Sequence, residues 1–324
     1  SQLPRHVLDV SIDASFVTYL ENTDQNYEDL RASVAGRVDI DAGNAVFAEA
    51  RSNYTHDPRF NVDSPASAAE PIPAWTNYLE AGYVRDYGRL RLLVGAFGKS
   101  VDYSDVNADD GSTIDQDYRD QTSFGGYLRL HYRVSPGYSV FGAIGSERTE
   151  FWGDASSIGA NWKSTVKSGV EWELDRLVRA SFAAGYTLKD YDSPLKTNLG
   201  SMVWDARIDW LARPELNFNL ECGQKLEETT YSAASARLTT SAGISAEYEL
   251  LRNVILSARA GVEQSEFLST DREDLAWSAR LGAQYLVNKN LKFTFEYEYL
   301  QRDSNIDEFD GDNYRASVGV RWSF

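Results

Sequence analysis

The residues of this chain best equipped for chemistry are few, and their spacing argues against catalysis. Only three histidines occur, His6, His56 and His131. His56 precedes Asp57, but hydrolysis would need an oriented nucleophile or an activated water beside that pair, and the local sequence supplies neither. His131 lies between Arg129 and Arg133 at alternate positions. The run Asp105-Val106-Asn107-Ala108-Asp109-Asp110-Gly111 approaches a calcium loop. Its glycine comes one position late, however, and Gln116 stands where a bidentate glutamate belongs, so an acidic surface loop is expected. The lone Cys222 can form neither an intramolecular disulfide nor a CxxC site, and reads as a small apolar residue. No enzyme activity, metal or cofactor is expected. The net charge of -17 disfavours a nucleic-acid partner, which needs a basic footprint.

The elements that would carry these residues are strands. The last segment sets Tyr314, Ala316, Val318, Val320, Trp322 and Phe324 on one side, and Arg315, Ser317, Gly319, Arg321 and Ser323 on the other. Only a strand separates two such sets onto opposite faces. The same alternation places Leu291, Phe293, Phe295, Tyr297 and Tyr299 against Lys292, Thr294, Glu296 and Glu298. Runs of this kind predict strands near 7–20, 27–41, 45–56, 74–86, 89–103, 119–134, 138–151 and 159–174. A second set follows near 178–191, 200–212, 215–228, 236–250, 254–267, 274–287, 291–302 and 313–324. Aromatic residues make up 13% of the 324 residues and proline only 8 positions, a composition that suits long strands.

Connections alternate in kind. Short turns such as Ala42-Gly43, Tyr87-Gly88 and Arg252-Asn253 follow even-numbered strands, while longer, more acidic loops (57–73, 104–118, 303–312) follow odd-numbered ones. Tight turns at one rim and long loops at the other mark a transmembrane barrel. The expected fold is therefore all-β: a single domain over 1–324, an antiparallel up-and-down transmembrane β-barrel of about 16 strands around a polar lumen. No stretch reaches the apolar length of a transmembrane helix. Seven tryptophans near strand ends, at 75, 152, 162, 172, 204, 210 and 322, suit an interfacial girdle. A soluble sandwich fits less well, because it favours shorter strands and no such girdle. Short turns and both termini are expected to face the periplasm. Ser1 opens a polar segment, so the chain is expected to be a mature or trimmed form.

If the apolar parity faces lipid, the other parity lines the interior. Among its charges are Arg129, Arg133, Glu171, Glu173, Arg207, Asp209, Arg237, Glu247, Arg280, Glu296, Glu298, Arg315 and Arg321. Opposite charges on neighbouring strands can pair along the wall, and the plain expectation is that they brace a water-filled interior. The inward parity of the first seven strands also carries Tyr19, Tyr27, Phe47, Tyr78, Phe97, Tyr127 and Phe141, while strands eight to sixteen are almost free of inward aromatics. Such a stripe (Tyr19, Phe47, Tyr78, Phe97, Tyr127, Phe141) could stack on sugar rings as a glycan track, or its rings could pack against loops or glycines. Segments 57–73 and 104–118 are the only candidates for a loop folded into the lumen.

Several stretches resemble one family. They are Leu251-Arg252-Asn253-Val254, Tyr285-Leu286-Val287-Asn288-Lys289-Asn290-Leu291, and Tyr297-Glu298-Tyr299-Leu300-Gln301-Arg302-Asp303-Ser304-Asn305. To these add Gly311-Asp312-Asn313-Tyr314 and the turn Asp86-Tyr87-Gly88-Arg89-Leu90. They resemble the outer-membrane β-barrel porin family associated with exopolysaccharide secretion. The resemblance implies a passive outer-membrane channel in a Gram-negative bacterium, for export of a secreted polysaccharide, working with periplasmic polysaccharide-export proteins. A general diffusion porin for small hydrophilic solutes is the alternative, and a plugged structural or adhesive barrel a further one. The terminal aromatic Phe324 resembles the signal read by the barrel assembly machinery, and membrane lipid and lipopolysaccharide are the expected surroundings.

Overall fold

The computed structural model describes residues 6–19, 23–58, 61–65, 67–152, 159–194, 196–231 and 233–322. Sixteen long strands follow one another in chain order, each antiparallel to the next, in one up-and-down sheet. The first eight are β1 (His6–Val17), β2 (Tyr27–Asp41), β3 (Asn44–Asp57), β4 (Ile72–Tyr87), β5 (Leu90–Tyr103), β6 (Gln121–Ser135), β7 (Tyr138–Phe151) and β8 (Asn161–Leu174). The second eight are β9 (Val178–Tyr191), β10 (Leu199–Arg213), β11 (Leu216–Glu227), β12 (Ala236–Leu251), β13 (Val254–Leu268), β14 (Glu273–Leu286), β15 (Leu291–Ser304) and β16 (Gly311–Trp322). Each matches one expected run. Differences are confined to ends: β6 starts at Gln121 rather than 119 because Asp117–Arg119 winds into a 3-10 turn. Phe324 and its proposed role lie outside the described residues.

A strand of fourteen residues, such as β8, is about 46 Å long at roughly 3.3 Å per residue. Tilted, that length crosses a lipid-facing band about 25 Å tall. The apolar parity is exposed on the outside, with Leu8, Val10, Ile12 and Phe16 on β1 and Val318, Val320 and Trp322 on β16. A contiguous exposed apolar face of this size is what lipid covers.

The polar parity lies on the concave face. Side chains two strands apart meet there: Arg129 of β6 with Glu171 of β8 at 2.7 Å, and Lys167 of β8 with Asp205 of β10 at 2.6 Å. Arg315 of β16 donates to the Tyr27 hydroxyl of β2 at 3.3 Å, so the two ends of the sheet come round to each other on this face.

The short-turn rim is built from tight hairpins. Register shifts at 39/41, 133/135, 211/213 and 249/251 put a bulge beside four of its turns. Gly137 sits at φ 75° between β6 and β7, a left-handed turn position that suits a residue without Cβ.

Candidate functional site

The wall of β3 to β7 is paved with rings. Four of the inward aromatics face a glycine directly across a ladder: Phe47 with Gly82, Phe97 with Gly125, Tyr127 with Gly95 and Phe141 with Gly169. Each ring lies over its glycine so closely that a Cβ has no room. At Gly125 a Cβ would stand 2.8 Å from Phe97 Cζ and 2.6 Å from the Ser146 carbonyl. At Gly169 it would stand 2.6 Å from Phe141 Cζ and 2.5 Å from the Phe182 carbonyl. The rings therefore lie flat on the wall, each filling the space its glycine leaves. Tyr78 has no such glycine; it stacks beside Phe97 with centroids 6.1 Å apart and takes the Arg51 guanidinium at 4.2 Å over its ring. Glu80 gathers the hydroxyls of Tyr78 (2.8 Å) and Tyr127. Arg129 covers Phe141 at 3.9 Å. Tyr19 stands apart from the stripe, in the β1–β2 connection, with its backbone N–H donating to Asn26.

Charges on the same face are mostly spent on one another. Glu171 takes Arg129 and stands 3.6 Å from His131; Arg207 pairs with Asp209 at 3.0 Å and Glu221 at 2.9 Å; Glu173 stands 3.6 Å from Arg179. Arg280 and Arg315 both bond Glu298, the latter at 2.6 Å. Arg237 pairs with Glu227 at 3.1 Å. Arg133, Glu247, Glu296 and Arg321 hold the same parity without an ion pair among the described residues. Arg133, Glu171, Glu173, Arg179, Arg207 and Asp209 share a cavity of about 420 Å³ toward the short-turn end.

The long-loop rim carries a strap that sequence reasoning could name only as a candidate. The β3–β4 connection leaves one wall and reaches the opposite one. Asp63 accepts from Thr229 Oγ1 at 2.6 Å through its carboxylate, and from Thr230 Oγ1 at 3.1 Å through its carbonyl. Arg237 stands 3.5 Å from the same carboxylate. The Val62 carbonyl accepts from Arg272 at 3.1 Å. Arg272 is 1% exposed, pairs with the equally buried Asp274 at 2.6 Å, and sits between Phe309 (3.4 Å), Phe267 (4.1 Å) and Tyr231 (5.0 Å). Phe267 thus qualifies the expectation that the later strands carry almost no inward rings.

The strap's return limb is laced to the β5–β6 connection. Ala69 N–H donates to the Asn107 carbonyl at 2.8 Å, and Ala68, Ile72 and Val106 form a small buried cluster with Tyr103 and Ile114. Arg119, also 1% exposed, ties that connection to the end of β3 through Asp57 at 2.7 Å and lies 3.9 Å over the Tyr103 ring. Burial pushes the Tyr118 hydroxyl and the Asp120 carboxyl above their usual ranges, the latter although it accepts from the Tyr103 N–H. No spacing in the sequence marks Arg119 or Arg272; their one hint is a lone basic residue among acids and rings.

The remaining candidates for chemistry are accounted for by ordinary contacts. His56 bonds Asp29 at 2.8 Å and stacks on Tyr27 at 3.6 Å, while Asp57 is turned to Arg119. In the acidic loop it is the exposed Asp105, Asp115 and Asp117 that converge, not the run from 105 to 111, and the first two already accept backbone N–H groups. Cys222 lies on the lipid-facing parity opposite Ala206.

Comparison with known proteins agrees with this architecture. A family profile described as "Putative beta-barrel porin 2" matches residues 1–324. No curated protein sequence matches the chain. Among solved structures, the copper transporter OprC superposes with TM-score 0.57 at 11% identity, covering 98% of this chain and 62% of that one. The FrpB iron transporter from Neisseria meningitidis (F3-3 variant) gives 0.59 at 9% identity, covering 98% and 63%. A bacterial polysaccharide outer membrane secretin gives 0.47 at 11% identity, covering 99% and 100%. The chain thus spans less than two thirds of the two transporters, and at these identities the likeness is one of fold. Profile and fold agree: this chain belongs to the family described as "Putative beta-barrel porin 2" and has the fold of a bacterial outer-membrane β-barrel.

Proposed function

We propose that the protein is a passive outer-membrane conduit for a secreted polysaccharide, with the short-turn rim and both termini on the periplasmic side. The observation that carries this reading is the paved wall. Rings seated on glycines lie flat at the lumen surface, where aromatic faces suit the C–H faces of sugars, although Arg129 covers the Phe141 ring. In-wall pairing of Arg129, Glu171, Arg207 and Asp209 supports it further, because paired charges still offer hydrogen bonds while holding a passing ion weakly. In this reading directionality comes from periplasmic export partners.

The strap favours a second reading, a diffusion porin for small hydrophilic solutes, because a loop that crosses the mouth narrows it for a polymer. Planar-bilayer conductance with and without oligosaccharide separates the two. Block by glycan is expected of the conduit, and steady current insensitive to glycan of the porin. In cells, the Tyr78→Ala/Phe97→Ala/Tyr127→Ala variant should lose secretion while still assembling. Full secretion by that variant would sink the glycan track.

A further inference from the structure

Beneath the strap tip, residues of β11 to β15 line a cavity of about 450 Å³, roofed by Asn61 and Val62. One rung of the ladder along its lower edge reads Ser245, Arg259, Arg280, Glu298, Arg315 from β12 to β16. That rung carries three arginines and one carboxylate. Glu298 bonds Arg280 and Arg315, while Arg259, directly opposite Arg280, makes no hydrogen bond or ion pair among the described residues. Like charges directly opposite repel, so this rung stores surplus positive charge within a chain of net charge -17.

The next rung toward the strap is Gly243, Gly261 and Ser278, which leaves a hollow beside the Arg259 guanidinium. Unlike the glycines of the paved wall, Gly243 has nothing nearer to a would-be Cβ than a carbonyl 3.6 Å away. At the upper edge, Arg237 keeps Nε and Nη1 buried without a hydrogen bond. Of the acids nearby, Glu221 is held by Arg207 and Asp274 by Arg272. Glu263, four residues along β13 on the same cavity wall, and Glu247, one rung below Arg259, make no ion pair among the described residues.

We infer that this hollow is a subsite for an acidic sugar unit, its carboxylate on Arg259 and its hydroxyls on the serines around it. A guanidinium with an unused fork takes a carboxylate bidentately. The volume falls within the range of small-molecule sites, and serine hydroxyls of neighbouring rungs suit a polyhydroxylated ligand. The inference rests on the conduit reading and names its glycan as one that bears uronic-acid units.

The test is calorimetric titration of the detergent-solubilised barrel with digalacturonate, with a neutral disaccharide and with acetate, repeated in the bilayer as block of current. Digalacturonate should bind at least about tenfold tighter than either control, the effect of one hydrogen bond to a charged group. Arg259→Gln should erase that preference and Arg259→Lys reduce it in part. Arg133→Gln, which removes an unpaired lumen arginine outside the hollow, should leave it intact. Both Arg259 variants break no existing contact, so heat-modifiable migration should show them folded. Equal binding of neutral sugar, equal competition by acetate, or an unaltered Arg259→Gln variant overturns the subsite. If the subsite fails while glycans still block current, the conduit reading survives. If digalacturonate binds and no glycan blocks, the subsite stands and the conduit reading falls.

Discussion

The two sides of the lumen use one alternation of residues to opposite ends. From β3 to β8 four inward glycines, Gly82, Gly95, Gly125 and Gly169, are each occupied by a ring from a neighbouring strand, so the wall there is filled. From β12 to β16 the inward Gly261, Gly282 and Gly319 meet only the small hydroxyl side chains of Ser278, Ser257 and Thr294, Gly243 meets open space, and arginines take the place of rings. Glycine on one side is a socket for a ring; on the other it meets a small hydroxyl or, at Gly243, leaves a gap. What a small residue does in a barrel is therefore decided by its partner across the ladder rather than by its own identity. The strap joins these two surfaces, starting from the filled one and ending on the charged one.

That contrast can be broken most severely at the clasp. Arg272→Ala leaves Asp274 buried without its cation and frees the Val62 carbonyl, at a cost of about 3–5 kcal/mol. A lower unfolding midpoint together with larger single-channel conductance is expected. Unchanged conductance would mean that the strap does not narrow the mouth. Next come the glycines. Gly125→Ala and Gly169→Ala should each cost about 1–3 kcal/mol by overpacking, and Gly243→Ala should be close to neutral. Thermal loss of the folded, heat-modifiable form measures all three. Similar midpoints across the three would erase the distinction between the two walls. The smallest effect belongs to a partly exposed pair. Lys167→Gln releases Asp205 and should alter stability by less than about 1 kcal/mol. It should nevertheless shift the reversal potential in a salt gradient toward cations, and a shift toward anions would contradict the placement of Lys167 in the lumen.

Strand count, parity and loop alternation were legible because period two is a local property, written in residues such as Phe293, Phe295 and Tyr297 against Thr294 and Glu296. The rings of the paved wall were legible as a stripe, but their glycine partners were not. Knowing that Phe97 meets Gly125 requires the register between strands whose facing residues are 28 positions apart. The arginine rung has the same origin: Arg259, Arg280 and Arg315 become neighbours only once the ladders are aligned. The strap's destination lay furthest beyond reach. Asp63 and Thr229 are 166 residues apart, and a loop segment carries no periodicity from which to read a partner.

The ring-on-glycine pairs also bear on how such a chain is put together. A hairpin arriving one residue out of step would turn Phe97 toward lipid. Two residues out, Phe97 would meet Ser123 or Tyr127 instead of Gly125, and neither leaves room for a flat ring. Only one alignment lets each ring drop into place, so Phe47, Phe97, Tyr127 and Phe141 act as detents that a growing sheet clicks through. Correct assembly can then be sensed strand by strand, long before the last edge meets the first.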